Sequence, residues 1–199
     1  PDWGNRTISS FAKCIAGATP STKVPEYWDN PTIRWMSSGE LNNKIIRDVC
    51  GRITKLGYEK AATHMLPKYC VLIGLAGQGK TRGTAAYNIV ELCTNQSIAA
   101  ILPNEKFNSL FLYYYIDSIY NLLRMLSSGD GGRGGLNKQI LFNLKIPFPP
   151  TIKEQTAIAN TLSVMDAEIE ALHQKRNKYA AIKDGMMQEL LTGKIRLVD

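Results

Sequence analysis

Val71-Leu72-Ile73-Gly74-Leu75-Ala76-Gly77-Gln78-Gly79-Lys80-Thr81, VLIGLAGQGKT, can be folded in two ways, and the choice decides the architecture of the chain. Residues 74–81 satisfy the G-x-x-x-x-G-K-S/T pattern behind an apolar run. In a nucleotide hydrolase that pattern is strand, glycine turn, helix. Backbone amides at the helix N-terminus cradle phosphates, the lysine reaches the terminal phosphates, and the hydroxyl holds magnesium. A helix must then begin near Gly79. Instead Thr81-Arg82-Gly83-Thr84 places a glycine in the first turns with a β-branched residue beside it. Glycine costs about 1 kcal/mol in a helix interior relative to alanine. The stretch therefore reads as a glycine loop between two strands, with residues 84–90 returning. Asp117 follows an apolar run, as a magnesium-binding acid would, but it falls inside a helical pattern rather than at a strand end. A P-loop nucleotide hydrolase using Gly74 to Thr81 is kept as the alternative function.

The chain has 199 residues and a net charge of +7. That length is enough for one medium domain plus an appendage. No run of eighteen apolar residues occurs, so no membrane span is expected. The opening PDWGNRTISS has no signal-peptide pattern, and because it begins with Pro1 a start further upstream is expected. Cys14, Cys50, Cys70 and Cys93 are dispersed, with only His64 and His173 as further soft ligands. They read as reduced, mostly buried thiols of a cytoplasmic protein, without a metal site. Residues 1–150 carry 17 Lys and Arg against 10 Asp and Glu, a net +7, whereas residues 151–199 carry 7 of each. The excess either serves solubility or marks a first segment that meets a polyanion beside a second that meets protein.

The first segment mixes short apolar runs, residues 69–73 and 97–102, with loops rich in Gly, Pro, Asn and Ser. Residues 106–126, KFNSLFLYYYIDSIYNLLRML, read as one buried helix, and residues 127–135, SSGDGGRGG, as a surface loop. Residues 146–150, IPFPP, end this segment. Thr151-Ile152-Lys153-Glu154 then fits a capping box. From there no proline occurs, and Ile158, Leu162, Met165, Ile169, Leu172, Tyr179, Met186 and Leu190 recur in steps of three and four, with Arg176 and residue 182 or 183 filling the gaps. That is a heptad seam on a helix from about residue 152 to 191, roughly 60 Å long at 1.5 Å per residue. Gly193 falls at its C-terminal cap. The seam either folds onto its own domain or pairs with a helix of another chain. No G-x-S-x-G, H-E-x-x-H or Asn/Asp-Pro-Pro-aromatic signature is present, which points to a binding protein.

Two stretches carry a resemblance. One is residues 146–199, especially IPFPPTIKEQTAIANTLSVMDAEIEAL and MMQELLTGKIRL. The other is Gly17-Ala18-Thr19-Pro20-Ser21, Glu26-Tyr27-Trp28 and Ile33-Arg34-Trp35-Met36-Ser37-Ser38-Gly39-Glu40-Leu41. In this order and spacing the chain resembles the DNA-specificity subunit of type I restriction–modification systems. The resemblance implies an α/β (α+β) target recognition domain over residues 1–150. It also implies a long conserved spacer helix over residues 151–199, in an antiparallel coiled coil with a partner helix. Family members usually hold two such units, and this chain holds one, so a half-subunit that homodimerises through its helix, or half of a longer chain, is expected. The implied partners are double-stranded DNA, DNA methyltransferase subunits and restriction–translocase subunits. Catalysis and S-adenosylmethionine would belong to those partners, leaving this chain non-catalytic and without a cofactor. Loop residues suited to DNA contact are Lys23, Arg34, Ser37, Gln78, Lys80, Arg82, Arg133, Asn137 and Lys138, each equally suited to a solvated surface. Trp28 and Trp35 read as core rather than base-stacking residues, and Tyr113, Tyr114 and Tyr115 as helix packing.

Overall fold

The apolar run before the glycine loop is a central strand buried on both faces. Val71 and Ile73 enter one hydrophobic cluster, and Cys70 and Leu72 enter another. The same alternation holds on the adjacent strand, where Ala99 and Ile101 face the first cluster and Ile98 and Ala100 the second. A strand with period two and no solvated face reads as a continuous apolar run. A computed structural model of the chain describes residues 3–77, 79–127 and 135–198, so the candidates Gln78 and Arg133 lie outside the described residues.

The elements run β1 Gly4–Thr7, α1 Ile8–Phe11, β2 Cys14–Ala16, β3 Ile33–Met36, β4 Ile45–Ile46, β5 Arg52–Ile53, α2 Lys55–Lys60 and β6 Val71–Gly74. They continue with β7 Ala85–Asn88, β8 Cys93–Thr94, β9 Ile98–Ile101, α3 Ser109–Ser118, α4 Tyr120–Leu126, α5 Lys138–Phe142, β10 Lys145–Phe148 and α6 Ile152–Leu190. Short 3-10 turns occupy Pro25–Tyr27 and Ser38–Asn43. The main sheet has the order β2-β9-β6-β7-β4 and is antiparallel except for the β4–β7 pair. A second sheet, β5-β3-β8, and the antiparallel pair β1–β10 complete the α+β domain.

The chain divides into two compact units, Pro1–Ala159 and Asn160–Asp199. The first therefore takes in the opening turns of α6. Gln155, 1% exposed, fixes them: its Oε1 accepts from Asn108 N at 2.8 Å and its Nε2 donates to Pro149 O at 3.1 Å. Asn108 also caps α3, accepting from Phe111 N at 2.9 Å, and donates from Nδ2 to Thr156 Oγ1 at 3.0 Å. Thr151 acts as the N-cap, its Oγ1 accepting from Glu154 N at 3.1 Å. The expected reciprocal half of that box is replaced, because the Glu154 carboxylate accepts from Trp3 Nε1 at 3.1 Å. The box with both halves made is Ser37–Glu40. In the second unit α6 ends at Leu190, and Gly193, at φ 71°, donates to Leu190 O.

The single buried helix expected over residues 106–126 is two helices. Ile119, at φ −97° and ψ 21°, leaves the helical basin between α3 and α4. Only Leu123 of α4 is buried, whereas Leu122, Met125 and Leu126 are exposed. Tertiary bonds override the continuous apolar pattern here. Asp117 at the end of α3 pairs with Lys44 Nζ at 2.5 Å, and α4 turns away to hydrogen-bond the glycine loop. Among the described residues no helix is long and apolar enough to cross a membrane.

Candidate nucleic-acid interface

The glycine loop after Gly74 is the turn of a hairpin. Residues 71–73 pair antiparallel with residues 85–87. Gly74 N donates to Thr84 O at 3.0 Å, and Gly83 N donates to Gly74 O at 2.8 Å, closing the loop between β6 and β7. Gly77, Gly79 and Gly83 all have positive φ, of 123°, 73° and 83°. Lys80 stands in a turn, where a nucleotide hydrolase needs the first turn of a helix. Asp117 lies on α3 in its ion pair with Lys44 and ends no strand. Among the described residues nothing supports the nucleotide-hydrolase alternative.

Strand directions gather several loops at one end of the main sheet. There β2 and β6 end and β7 and β9 begin, since Gly74 is registered with Ile98 and Ala16 with Ala99. The segment carrying Lys23 leaves from Ala16, and Gly17 N donates to Ile98 O. Gly17 is required at this exit, because a Cβ there would lie 1.9 Å from Thr94 O. Leu75 N donates to Ser97 O, and Leu136 N donates to Leu75 O at 3.0 Å, so the chain beyond the second glycine stretch returns to the base of the first. Met36 O accepts from Asn95 N at 3.1 Å, which brings the end of β3 and Ser37 to the same region. The structure thus brings together the segments carrying Lys23, Ser37, Lys80, Arg82, Asn137 and Lys138. Lys23, Lys80, Asn137 and Lys138 are exposed, and Ser37 and Arg82 are half-buried.

Several of these side chains already have local work. Ser37 caps the 3-10 turn that follows it, and Asn137 caps α5 by accepting from Ile140 N at 2.9 Å. Burial pushes the Cys14 thiol up to about 11, with the nearby Lys138 ammonium acting in the opposite sense. Trp28 and Trp35 are half-buried and meet edge to face at 5.4 Å. Their indole N–H groups donate to Ser21 O and Ala18 O. Tyr113 is buried, and Tyr114 and Tyr115 are half-buried.

Arg34 lies apart from the loop cluster, inside β3 and opposite Arg52. Its Nε donates to Asp48 Oδ1 at 2.7 Å, and Arg52 Nη2 donates to both carboxylate oxygens at 2.8 and 2.9 Å. The hydrogen bond from Arg34, first among several, holds the Asp48 carboxyl at about 2, below its ordinary 3.8. A folded value below the unfolded one stabilises the fold above about pH 4 and is lost as pH falls toward 2. Asp48→Asn should therefore lower the urea midpoint modestly at neutral pH, since the group is exposed. The gap to the parent chain should close on acidification; a gap that persists at low pH would show that the charge is not its source.

Asp48, Tyr120 and Arg124 were outside the candidate set, yet each holds a member of it or that member's loop. The i,i+4 spacing of Tyr120 and Arg124 was a legible signal of one shared helix face. Its target, the glycine loop, was not legible.

A solved chain described under complex assembly and conformational transition of the type I R-M system matches with TM-score 0.71 and 20% identity, covering 94% of this chain and 44% of that one. The HsdS subunit from Thermoanaerobacter tengcongensis matches with TM-score 0.67 and 17% identity, covering 95% and 44%. The model of the type I restriction modification DNA specificity domain matches residues 1–179, and the chain belongs to that family. The EcoR124I/EcoR124II specificity subunit of Escherichia coli is 27% identical over 188 residues, which is 87% of this chain and 46% of that protein. The chain thus spans about half the length of the relatives it matches.

Proposed function

We propose that the chain is the sequence-reading component of a type I restriction–modification complex. It recognises one half of a bipartite DNA target and positions methyltransferase and restriction subunits there. The family match over residues 1–179 carries this reading. The loop-bearing sheet end and the +7 charge of residues 1–150 support it physically. Lysine and arginine contacts to phosphates supply affinity and register, and loop side chains at base edges supply specificity. Residues 1–150 act as the recognition domain, with Lys23, Arg34, Ser37, Gln78, Lys80, Arg82, Arg133, Asn137 and Lys138 as its contact candidates. Residues 151–199 act as the spacer helix for dimerisation and subunit contact. Catalysis and S-adenosylmethionine reside in the methyltransferase subunits, and the complex works in the cytoplasm.

A chain with one recognition unit reads two half-sites if two copies pair about a twofold axis, and the target is then a palindrome with an unread gap. The test is to produce the chain with its methyltransferase in a host lacking other modification and to map the methylated motif. A gapped palindrome is the expected result. An asymmetric motif would refute the paired half-subunit, and methylation independent of this chain would refute the DNA-reading function.

A further inference from the structure

The glycine loop should be a poor recognition element if left to itself. Glycine loses more conformational freedom on ordering than any other residue, so a loop bearing Gly77, Gly79 and Gly83 would sample many shapes. Its outgoing half is tied down by α4. Arg124 Nη1 donates to Gly79 O at 2.5 Å, and the Tyr120 hydroxyl donates to Lys80 O at 3.3 Å. The Thr84 hydroxyl also donates to Lys80 O. The two side chains support each other, with the Arg124 guanidinium carbon 6.0 Å from the Tyr120 ring centre.

The close approach is built into the backbone. A Cβ on Gly83 would lie 3.4 Å from Leu123 Cβ and 3.6 Å from Arg124 Cγ. Leu123 is fully buried and roots α4 in the core. The break at Ile119 gives α4 this placement, and the ion pair of Asp117 with Lys44 anchors the end of α3 just before that break. Two consecutive loop carbonyls are thus turned toward α4, while the Lys80 side chain is exposed.

We propose that Arg124 and Tyr120 are positioning residues that preset the glycine loop, so that Lys80 and its neighbours meet DNA in one register. The inference rests on the DNA-reading function above. A preset loop pays its ordering cost on folding, so it discriminates between sequences instead of adapting to each. Arg124 as a direct phosphate contact is the competing role, and it predicts a different pattern of losses.

Trypsin offers a readout within the full chain that needs no DNA, because Lys80 is itself a cleavage site. Cleavage after Lys80, followed by mass spectrometry and referred to cleavage after Lys60, should accelerate roughly tenfold in Arg124→Ala and several-fold in Tyr120→Phe. Arg124→Lys, which restores a donor, should recover part of the protection. Equal acceleration at both sites, or none at Lys80, would overturn the clamp.

The second readout uses a randomised duplex pool enriched on the parent chain, with a scrambled duplex as reference. The charge-conserving Arg124→Lys and the neutral Tyr120→Phe should lose about tenfold in preference for the enriched duplex, with affinity for the scrambled one little changed. Equal loss on both duplexes with normal loop protection would assign Arg124 to a phosphate and overturn the proposal. A parent chain without sequence preference would refute the DNA-reading function and this role in specificity, while the tryptic result would still decide whether α4 holds the loop.

Discussion

Gly74→Ala is expected to destabilise the chain by about 3 kcal/mol, the upper end of ordinary overpacking. That corresponds to a fall in Tm of roughly 6–12 °C for a chain of this size. A Cβ on Gly74 would sit 2.2 Å from Thr81 O and 3.1 Å from Leu41 Cδ1. The first obstacle is backbone and cannot rotate away. Thr81 cannot retreat easily either, because its carbonyl accepts from Thr84 N at 3.1 Å and Gly74 bonds both Gly83 and Thr84. Gly79→Ala is the internal comparison. Nothing lies within 4 Å of its Cβ position, so only the left-handed φ of 73° is penalised, at about 1 kcal/mol. Thermal unfolding followed by circular dichroism should rank Gly74→Ala well below Gly79→Ala. Equal melting temperatures would mean that the loop does not close on Gly74 as described.

The hairpin was legible in sequence for a simple reason. Gly83 and Thr84 disfavour a helix immediately after Lys80, and the run before Gly74 is short, apolar and flanked by turn residues. The long helix was legible because its periodicity persists for many turns and a glycine ends it. The break at Ile119 was not legible, since the helical spacing of apolar residues continues across it through residues 106–126. The chain turns there because Asp117 finds Lys44 and because Tyr120 and Arg124 find carbonyls some forty residues earlier, at sequence separations of 40 and 45. The same limit applied to the candidate contacts. Loop residues could be nominated by composition, but the gathering of their segments at one sheet end follows from strand order. Nor does sequence reveal that Ser37 and Asn137 spend their side chains as caps, or that Arg34 shares Asp48 with Arg52.

The double substitution Ile169→Glu and Leu172→Glu is expected to convert a dimer into a monomer, because the heptad seam has no cover within the described second unit. Met165, Ile169, Leu172, Tyr179 and Met186 are 51–61% exposed. A stripe of that kind on a helix is stable in water when a second helix buries it. Burying a leucine or isoleucine contributes about 1.5–3 kcal/mol, and in a twofold dimer each position counts in both chains. Removing two positions, and setting glutamates where apolar side chains would meet, should weaken association by well over a hundredfold. Sedimentation at micromolar concentration should show a dimer for the parent chain and a monomer for the variant. Val164→Glu supplies the control: Val164 is 67% exposed but lies off the seam, so the dimer should survive. Dissociation by Val164→Glu as well would place the contact on another face of the helix. A parent chain that is monomeric without its methyltransferase would mean that the seam is covered by a different partner, and a twofold pair of these chains would no longer account for a bipartite target.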